Sequence, residues 1–190
     1  MDSVALTDHG NLFGVVDFYK KAKAHGIKPI FGSETYVCAD RTDRQSRRNY
    51  HLILLAKNDG GYRNLRYLNS MAFLEGFYYH PRIDKKLLKE HSEGLIAING
   101  HLGSEIGEHL LEFERSGDPS HWEKAVESAK WHARVFAPTK DGPRFFIELQ
   151  HHVYEQNSIN KHLIKLAKEL KLPLVCDNDS HFLRKEDHDS

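Results

Sequence analysis

Cysteine is scarce in this chain: only Cys38 and Cys176 occur, far apart and in no CxxC pair. That spacing gives no zinc-ribbon or disulfide-scaffold signature and suits a reducing compartment, so a cytoplasmic protein is expected. Net charge is lacking as well. Lys plus Arg and Asp plus Glu each number 27, which argues against a uniformly basic surface, so any contact with nucleic acid has to be local. No apolar run approaches the roughly 20 residues of a membrane helix, and the N-terminus has neither the basic nor the apolar region of a signal peptide. A soluble chain with no membrane contact is expected.

What the sequence does have is histidine, 14 in 190 residues, beside only two Met and two Trp. Histidine is the commonest metal ligand and also an ordinary surface residue, so position decides. The length fits a single domain, residues 1–190, with a core of its own. Apolar runs of four to seven residues alternate with longer stretches of helical period, the pattern of an α/β fold with βα units around a parallel sheet. Strands are expected near Val4–Thr7, Pro29–Phe31, Leu52–Ala56, Leu95–Asn99, Phe145–Leu149 and Leu174–Asp177. Helices are expected over "LFGVVDFYKKAKAHG", "GYRNLRYLNSMAFL", "SHWEKAVESAKWHARVF" and "SINKHLIKLAKELK", the third opened by a capping box of Ser120 and Glu123. Residues 39–49, "ADRTDRQSRRN", have no apolar face and read as a solvated, mobile loop.

In β/α barrels the chemistry sits on the loops after the strands. Those loops carry Thr7-Asp8-His9-Gly10, Gly32-Ser33-Glu34, Asn99-Gly100-His101, Gln150-His151-His152 and Asp177-Asn178-Asp179-Ser180-His181. A single strand-end histidine is usually a loop residue, but acid and imidazole recur here at one rim. Asp179 and His181 are two apart, so in extended backbone they share a face and can grip one ion. Glycines beside His9, Glu34 and His101 let backbone approach a crowded site. Mixed imidazole and carboxylate ligation suits Zn²⁺, Mn²⁺ or Fe²⁺ better than Mg²⁺ or Ca²⁺. Asp8 reads as an acceptor fixing the neighbouring imidazole, and His152 as a residue behind the ligands or against substrate. His25, His91, His109, His121, His132 and His162 fall in helical or loop patterns among Lys and Glu and read as solvated.

The blocks "ALTDHGNLFGVVDFYKKAKAHGIKPIFGSETYV", "YHLILLAKNDGGYRNL", "EGFYYHPRIDKKLL", "SEGLIAINGHLGSEI" and "LPLVCDNDSHFLRKED", in this order, resemble the PHP (polymerase and histidinol phosphatase) domain at the start of the bacterial DNA polymerase III alpha subunit. The resemblance implies a distorted (β/α)7-type PHP barrel, here lacking its first strand, because the family's opening His-x-His strand and following Asp do not precede the TDHG block. It implies metal ligation by His9, Glu34, His51, His101, Asp179 and His181, holding a divalent cluster of Zn, Mn or Fe.

His51 precedes its apolar run. On a regular parallel strand that is the wrong end, so either the strand is irregular in direction or His51 is not a ligand.

The activity implied is metal-dependent phosphoester cleavage as a 3′-5′ proofreading exonuclease on DNA. The partners implied are a single-stranded 3′ end, the remainder of the polymerase and other replisome subunits. A non-catalytic docking domain of the polymerase is the alternative, and a free-standing phosphatase on a small phosphate ester ranks after it. A barrel short of a strand would have two unpaired edges and a tendency to self-associate. In "EGFYYHPRID", Phe77, Tyr78 and Tyr79 could stack on single-stranded bases with Arg82 near the phosphates, or pack inward.

Overall fold

The computed structural model describes residues 1–151, 153–182, 184 and 186–187. In chain order the elements are β1 (Ser3–Leu6), α1 (Val15–Ala24), β2 (Lys28–Cys38), β3 (Tyr50–Ala56), α2 (Asp59–Leu74), β4 (Arg82–Asp84) and α3 (Lys85–Glu90). They continue with β5 (Leu95–Asn99), α4 (Glu105–Ser116), α5 (Pro119–Val135), β6 (Phe145–Leu149), α6 (Tyr154–Leu170) and β7 (Leu174–Cys176). No helix among the described residues is long and apolar enough to cross a membrane.

Helix ends follow short polar side chains. Asn58, Asp84 and Ser104 each accept a backbone N–H of the helix they precede. The expected capping box of Ser120 and Glu123 does not form as such. Pro119 occupies the first turn of α5, so the helix starts two residues earlier and Asp118 caps it, accepting from Ser120 N at 2.9 Å. Gly61 on α2 marks a close approach: a Cβ there would lie 1.8 Å from the Gly94 carbonyl oxygen.

The strands form one sheet in the order β1-β2-β3-β5-β6-β7, with β4 also on β2. The α/β class and barrel-like curl stand, but the sheet is mixed rather than parallel. β3 runs antiparallel to both β2 and β5, while β1–β2, β2–β4, β5–β6 and β6–β7 are parallel. β2 is far longer than its apolar run, because Ser33 and Thr35 are buried and bonded, to Asn69 Oδ1 at 3.2 Å and Leu52 O at 2.9 Å. Its first half pairs with β1; beyond that its two edges hold β3 and β4. β1 pairs only with β2 and β7 only with β6 among the described residues, so two edges are open.

One sheet face is dry. Leu52, Leu54, Leu95, Ala97 and Ile147 pack against Leu65, Leu68, Ile106, Leu110, Leu163 and Leu166 of the helices, all with essentially no exposure. By strand alternation the other face carries Glu34, Tyr36, His51, Ile53, Ile98 and Glu148. His132, expected on a solvated helix face, is buried against Phe145, the rings stacked at 5.4 Å, with Nδ1 bonded to Ser128 O at 2.9 Å.

Residues 39–49, expected to be mobile, are tied down from below by Arg82. Its guanidinium, 1% exposed, donates to Gly76 O at 3.1 Å, Ser46 O at 2.8 Å and Asp43 O at 2.5 Å. Arg41 adds ion pairs to Asp84 at 2.7 Å and Glu75 at 2.8 Å. A segment without an apolar face is thus ordered by charge-assisted bonds to its own carbonyls and side chains.

Candidate metal centre

The loop after β1 is drawn against β2 by a parallel bridge between His9 and Glu34. Gly10 N donates to Glu34 O at 2.9 Å and Glu34 N to Asp8 O at 3.1 Å. Gly10 has φ +64°, and a Cβ there would meet Pro81 Cγ at 2.7 Å and Tyr36 at 3.0 Å. Glycine is what lets His9 come down beside Glu34.

His51 opens β3 and pairs with Tyr36 across the antiparallel register. Reversal of β3 places the start of that strand at the rim where the parallel strands end. The sequence objection to His51 therefore disappears: the strand direction is the irregular one. His101 follows β5 after Gly100, whose Cβ position would lie 2.5 Å from Glu148 O.

His9, Glu34 and His51 offer ligand atoms that all lie within 4.8 Å of one another. His51 Nδ1 is 2.6 Å from Glu34 Oε1, His9 Nδ1 is 3.5 Å from Glu34 Oε2, and His101 Nε2 is 3.6 Å from Glu34 Oε1. Burial pushes the Glu34 carboxyl up. The His51 hydrogen bond and the charges of His101, His9 and His51 outweigh it and hold the group below the usual carboxylate range. Burial pulls the His101 imidazole down against the attraction of Glu34, favouring the neutral, ligating form.

The last strand contributes from the opposite edge. His181 Nε2 faces His9 Nε2 at 3.4 Å, while His181 Nδ1 donates to Asp179 O at 2.9 Å and lies 3.7 Å from the Asp179 carboxylate. That donation leaves the lone pair on Nε2, on the side toward His9. The structure thus brings His9, Glu34, His51, His101 and His181 together, with Asp179 behind His181.

Other expected residues fall elsewhere. Asp8 contributes its backbone carbonyl, to Glu34 N and Ser33 Oγ, and none of the described hydrogen bonds joins its carboxylate to an imidazole. Arg82, taken as a substrate contact, is spent on the 39–49 carbonyls instead. His152 lies outside the described residues.

Sequence reading missed residues that share the site. Tyr36 stacks on His9 at 6.1 Å and meets His51 at 5.0 Å and His80 at 4.6 Å. Beneath the cluster, Gln150 Nε2 bridges Glu148 Oε1 at 2.6 Å and Asp177 Oδ1 at 3.1 Å. Burial, then the Asp177 carboxylate, pushes the Glu148 carboxyl well above its ordinary value despite the Gln150 bond, which favours its protonated form. The signal was available: Glu148 is an acid in mid-strand in "FFIEL", where burial forces either a partner or a proton.

The donor set fits a divalent transition metal. It combines imidazole nitrogens with one buried carboxylate, and His101 Nε2 is buried with no hydrogen-bond partner among the described residues. A cation in the cluster would satisfy that orphaned nitrogen.

Comparison with known proteins places these observations. The family model described as PHP domain matches residues 1–152. DNA polymerase III subunit alpha of Borreliella burgdorferi is 44% identical over 193 residues, an alignment covering 98% of this chain and 16% of that protein. The subunit from Thermus aquaticus is 45% identical over 192 residues, covering 97% of this chain and 15% of that protein. The chain therefore spans about a sixth of the length of these relatives. Among solved structures, a protein described as a metal-dependent phosphoesterase from Bifidobacterium adolescentis matches with TM-score 0.50 at 12% identity, over 96% of this chain and 78% of that one. At that identity the match speaks for the fold.

Proposed function

This chain belongs to the PHP domain family, and from that premise we propose that it is a metal-dependent phosphoesterase whose substrate is the 3′ end of a DNA strand. His9, Glu34, His51, His101, Asp179 and His181 hold divalent metal, with Zn, Mn or Fe the chemistry of the donors. The observation that carries the reading is the convergence of imidazoles on Glu34, with the buried His101 Nε2 left without a hydrogen-bond partner among the described residues. When bound, divalent ions supply Lewis-acid polarisation of a phosphate and lower the pKa of water.

The chain's own residues set up the rest. Glu34, anionic and 5% exposed, is the fixed negative charge about which the imidazoles turn their nitrogens. His9 and His181, on the exposed side of the cluster, leave an approach for a phosphate from solvent. Tyr36 holds the His9 and His51 rings in place from the side. Gln150, bonded to Glu148 and Asp177 together, orients Asp177, two residues ahead of Asp179. No Ser or Cys nucleophile is needed, since water serves as attacking group. The extended similarity to DNA polymerase III alpha subunits favours a DNA end over a small phosphate ester.

Elemental analysis after dialysis against mild chelator tests this, beside Glu34→Gln and His101→Ala variants. The parent is expected to retain metal and, with Mn²⁺ or Zn²⁺, to release nucleotides from a 3′-labelled single strand; both variants are expected to lose metal and activity. A parent that keeps no metal and cleaves nothing would leave a docking role within the polymerase.

A further inference from the structure

Beside the cluster lies a strip of aromatic surface that folding alone does not account for. Phe13 is 82% exposed, Phe77 51% and Phe73 41%, where phenylalanine is ordinarily buried. Their rings are nevertheless in register. Phe13 and Phe73 are 6.1 Å apart, and Phe73 and Phe77 are 6.0 Å apart with planes within 21°. One loop, the end of α2 and the segment after it have been brought together to build one continuous apolar platform facing water.

Both ends of the strip return to the metal centre. Asn11 Nδ2 donates to His9 O at 3.0 Å and Asn11 Oδ1 accepts from Phe13 N at 2.9 Å, so the turn that presents the His9 imidazole also presents Phe13. At the other end the chain runs from Phe77 to His80, whose ring lies 4.6 Å from Tyr36.

The acid along the strip is already taken: Glu75, between Phe73 and Phe77 in the chain, is ion-paired to Arg41 at 2.8 Å. A cavity of about 230 Å³ between the loop and α2 is lined by Asn11, Phe13, Arg66, Asn69, Ser70 and Phe73, among others, and by no carboxylate. Arg66 reaches no carboxylate among the described residues, and Arg47 lies over the Tyr79 ring at 3.6 Å from its centroid. Exposed rings, amide and hydroxyl groups, and an Arg66 with Glu75 already held by Arg41 fit a chain of stacked bases on a phosphate backbone. A protein surface of mixed charge would be met by both signs.

We infer that Phe13, Phe73 and Phe77, with Arg66, form a stacking platform for single-stranded DNA that leads its 3′ end into the metal centre. This rests on the proposed phosphoesterase reading for its direction, but binding can be read without cleavage. Fluorescence anisotropy of a labelled oligothymidylate in excess EDTA measures the platform alone. Phe13→Ala and Phe73→Ala are each expected to weaken binding about tenfold, within a span of ~5- to ~150-fold for loss of one stacked base. Arg66→Ala is expected to weaken it and to flatten its salt dependence. Tyr19→Ser, an exposed aromatic on α1 outside the strip, is expected to bind as the parent does. Because the substituted rings face solvent, the variants should melt with the parent.

A parent that binds no oligonucleotide in EDTA, or Phe13→Ala and Phe73→Ala variants that bind as tightly as the parent, would overturn the inference and give the strip to a protein contact. Cleavage in Mn²⁺, lost in Glu34→Gln whatever the strip does, reports the site reading separately.

Discussion

Arg82→Met separates a structural arginine from one that meets substrate. The parent guanidinium makes three short bonds to carbonyls, at 2.5, 2.8 and 3.1 Å, from a position 1% exposed. At about 1.5–3 kcal/mol for each bond to a charged group, the gross loss is roughly 5–9 kcal/mol. Two of those carbonyls belong to the 39–49 loop and regain water once it lifts, which brings the net cost to about 4 kcal/mol, within the range for stripping one partner from a buried charged network.

For a chain of this length each kcal/mol lowers the melting temperature by about 2–4 °C, so a fall of about 8–16 °C is expected by calorimetry. Arg82→Lys should recover less than half of it, because an ammonium cannot span carbonyls that a planar fork reaches together. Trypsin should cut faster at Arg44, Arg47 and Arg48 in both variants as the loop comes free. Metal content should not change, since Arg82 touches none of the clustered residues. An Arg82→Met protein that melts within a degree or two of the parent while oligonucleotide binding falls would refute the reasoning and return Arg82 to the phosphate.

Two buried titratable groups give opposite pH dependences. Burial, only partly offset by the Ser128 carbonyl and Glu105, lowers His132 from its ordinary 6.5 to about 4. Between those values the unfolded chain takes up a proton that the folded chain refuses, so stability falls as pH drops through this window, by about 3 kcal/mol in all. Urea unfolding at successive pH values should show the fall and His132→Gln should flatten it; equal slopes would mean that the imidazole reaches water. Glu148 behaves inversely: its raised carboxyl gives stability that is full below its ordinary 4.5 and declines as pH rises above it. Glu148→Gln is neutral at every pH and can still accept from Gln150, so its stability relative to the parent should grow as pH rises above the ordinary carboxyl value. A difference that does not move with pH would show that the carboxyl ionises in the fold as it does outside it.

The parts of this fold that depend on local pattern are legible in the sequence. β5 and β6 lie where their apolar runs put them, at Leu95–Asn99 and Phe145–Leu149, and His9 and His101 follow their strands. What the pattern omits is whatever is decided by a distant partner. "GSETYVC" does not look like strand because Ser33 and Thr35 are polar, yet both are buried, satisfied by α2 and β3. Residues 39–49 look free because the arginine that organises them is 33 or more positions downstream, on a three-residue strand with no periodicity to detect. His132 lies among Lys and Arg in sequence, but its own face of α5 is turned to β6.

Direction is the deepest omission, since alternation reads the same along a strand both ways. His51 shows that direction can nonetheless leave a trace. The parallel strands carry their polar groups after the apolar run, at one rim. A residue that belongs to that rim but stands ahead of its run requires a strand entering from the rim, as β3 does between β2 and β5. The displaced histidine is thus the sequence mark of the reversed strand, and the reversed strand is what brings His51 to 2.6 Å from Glu34.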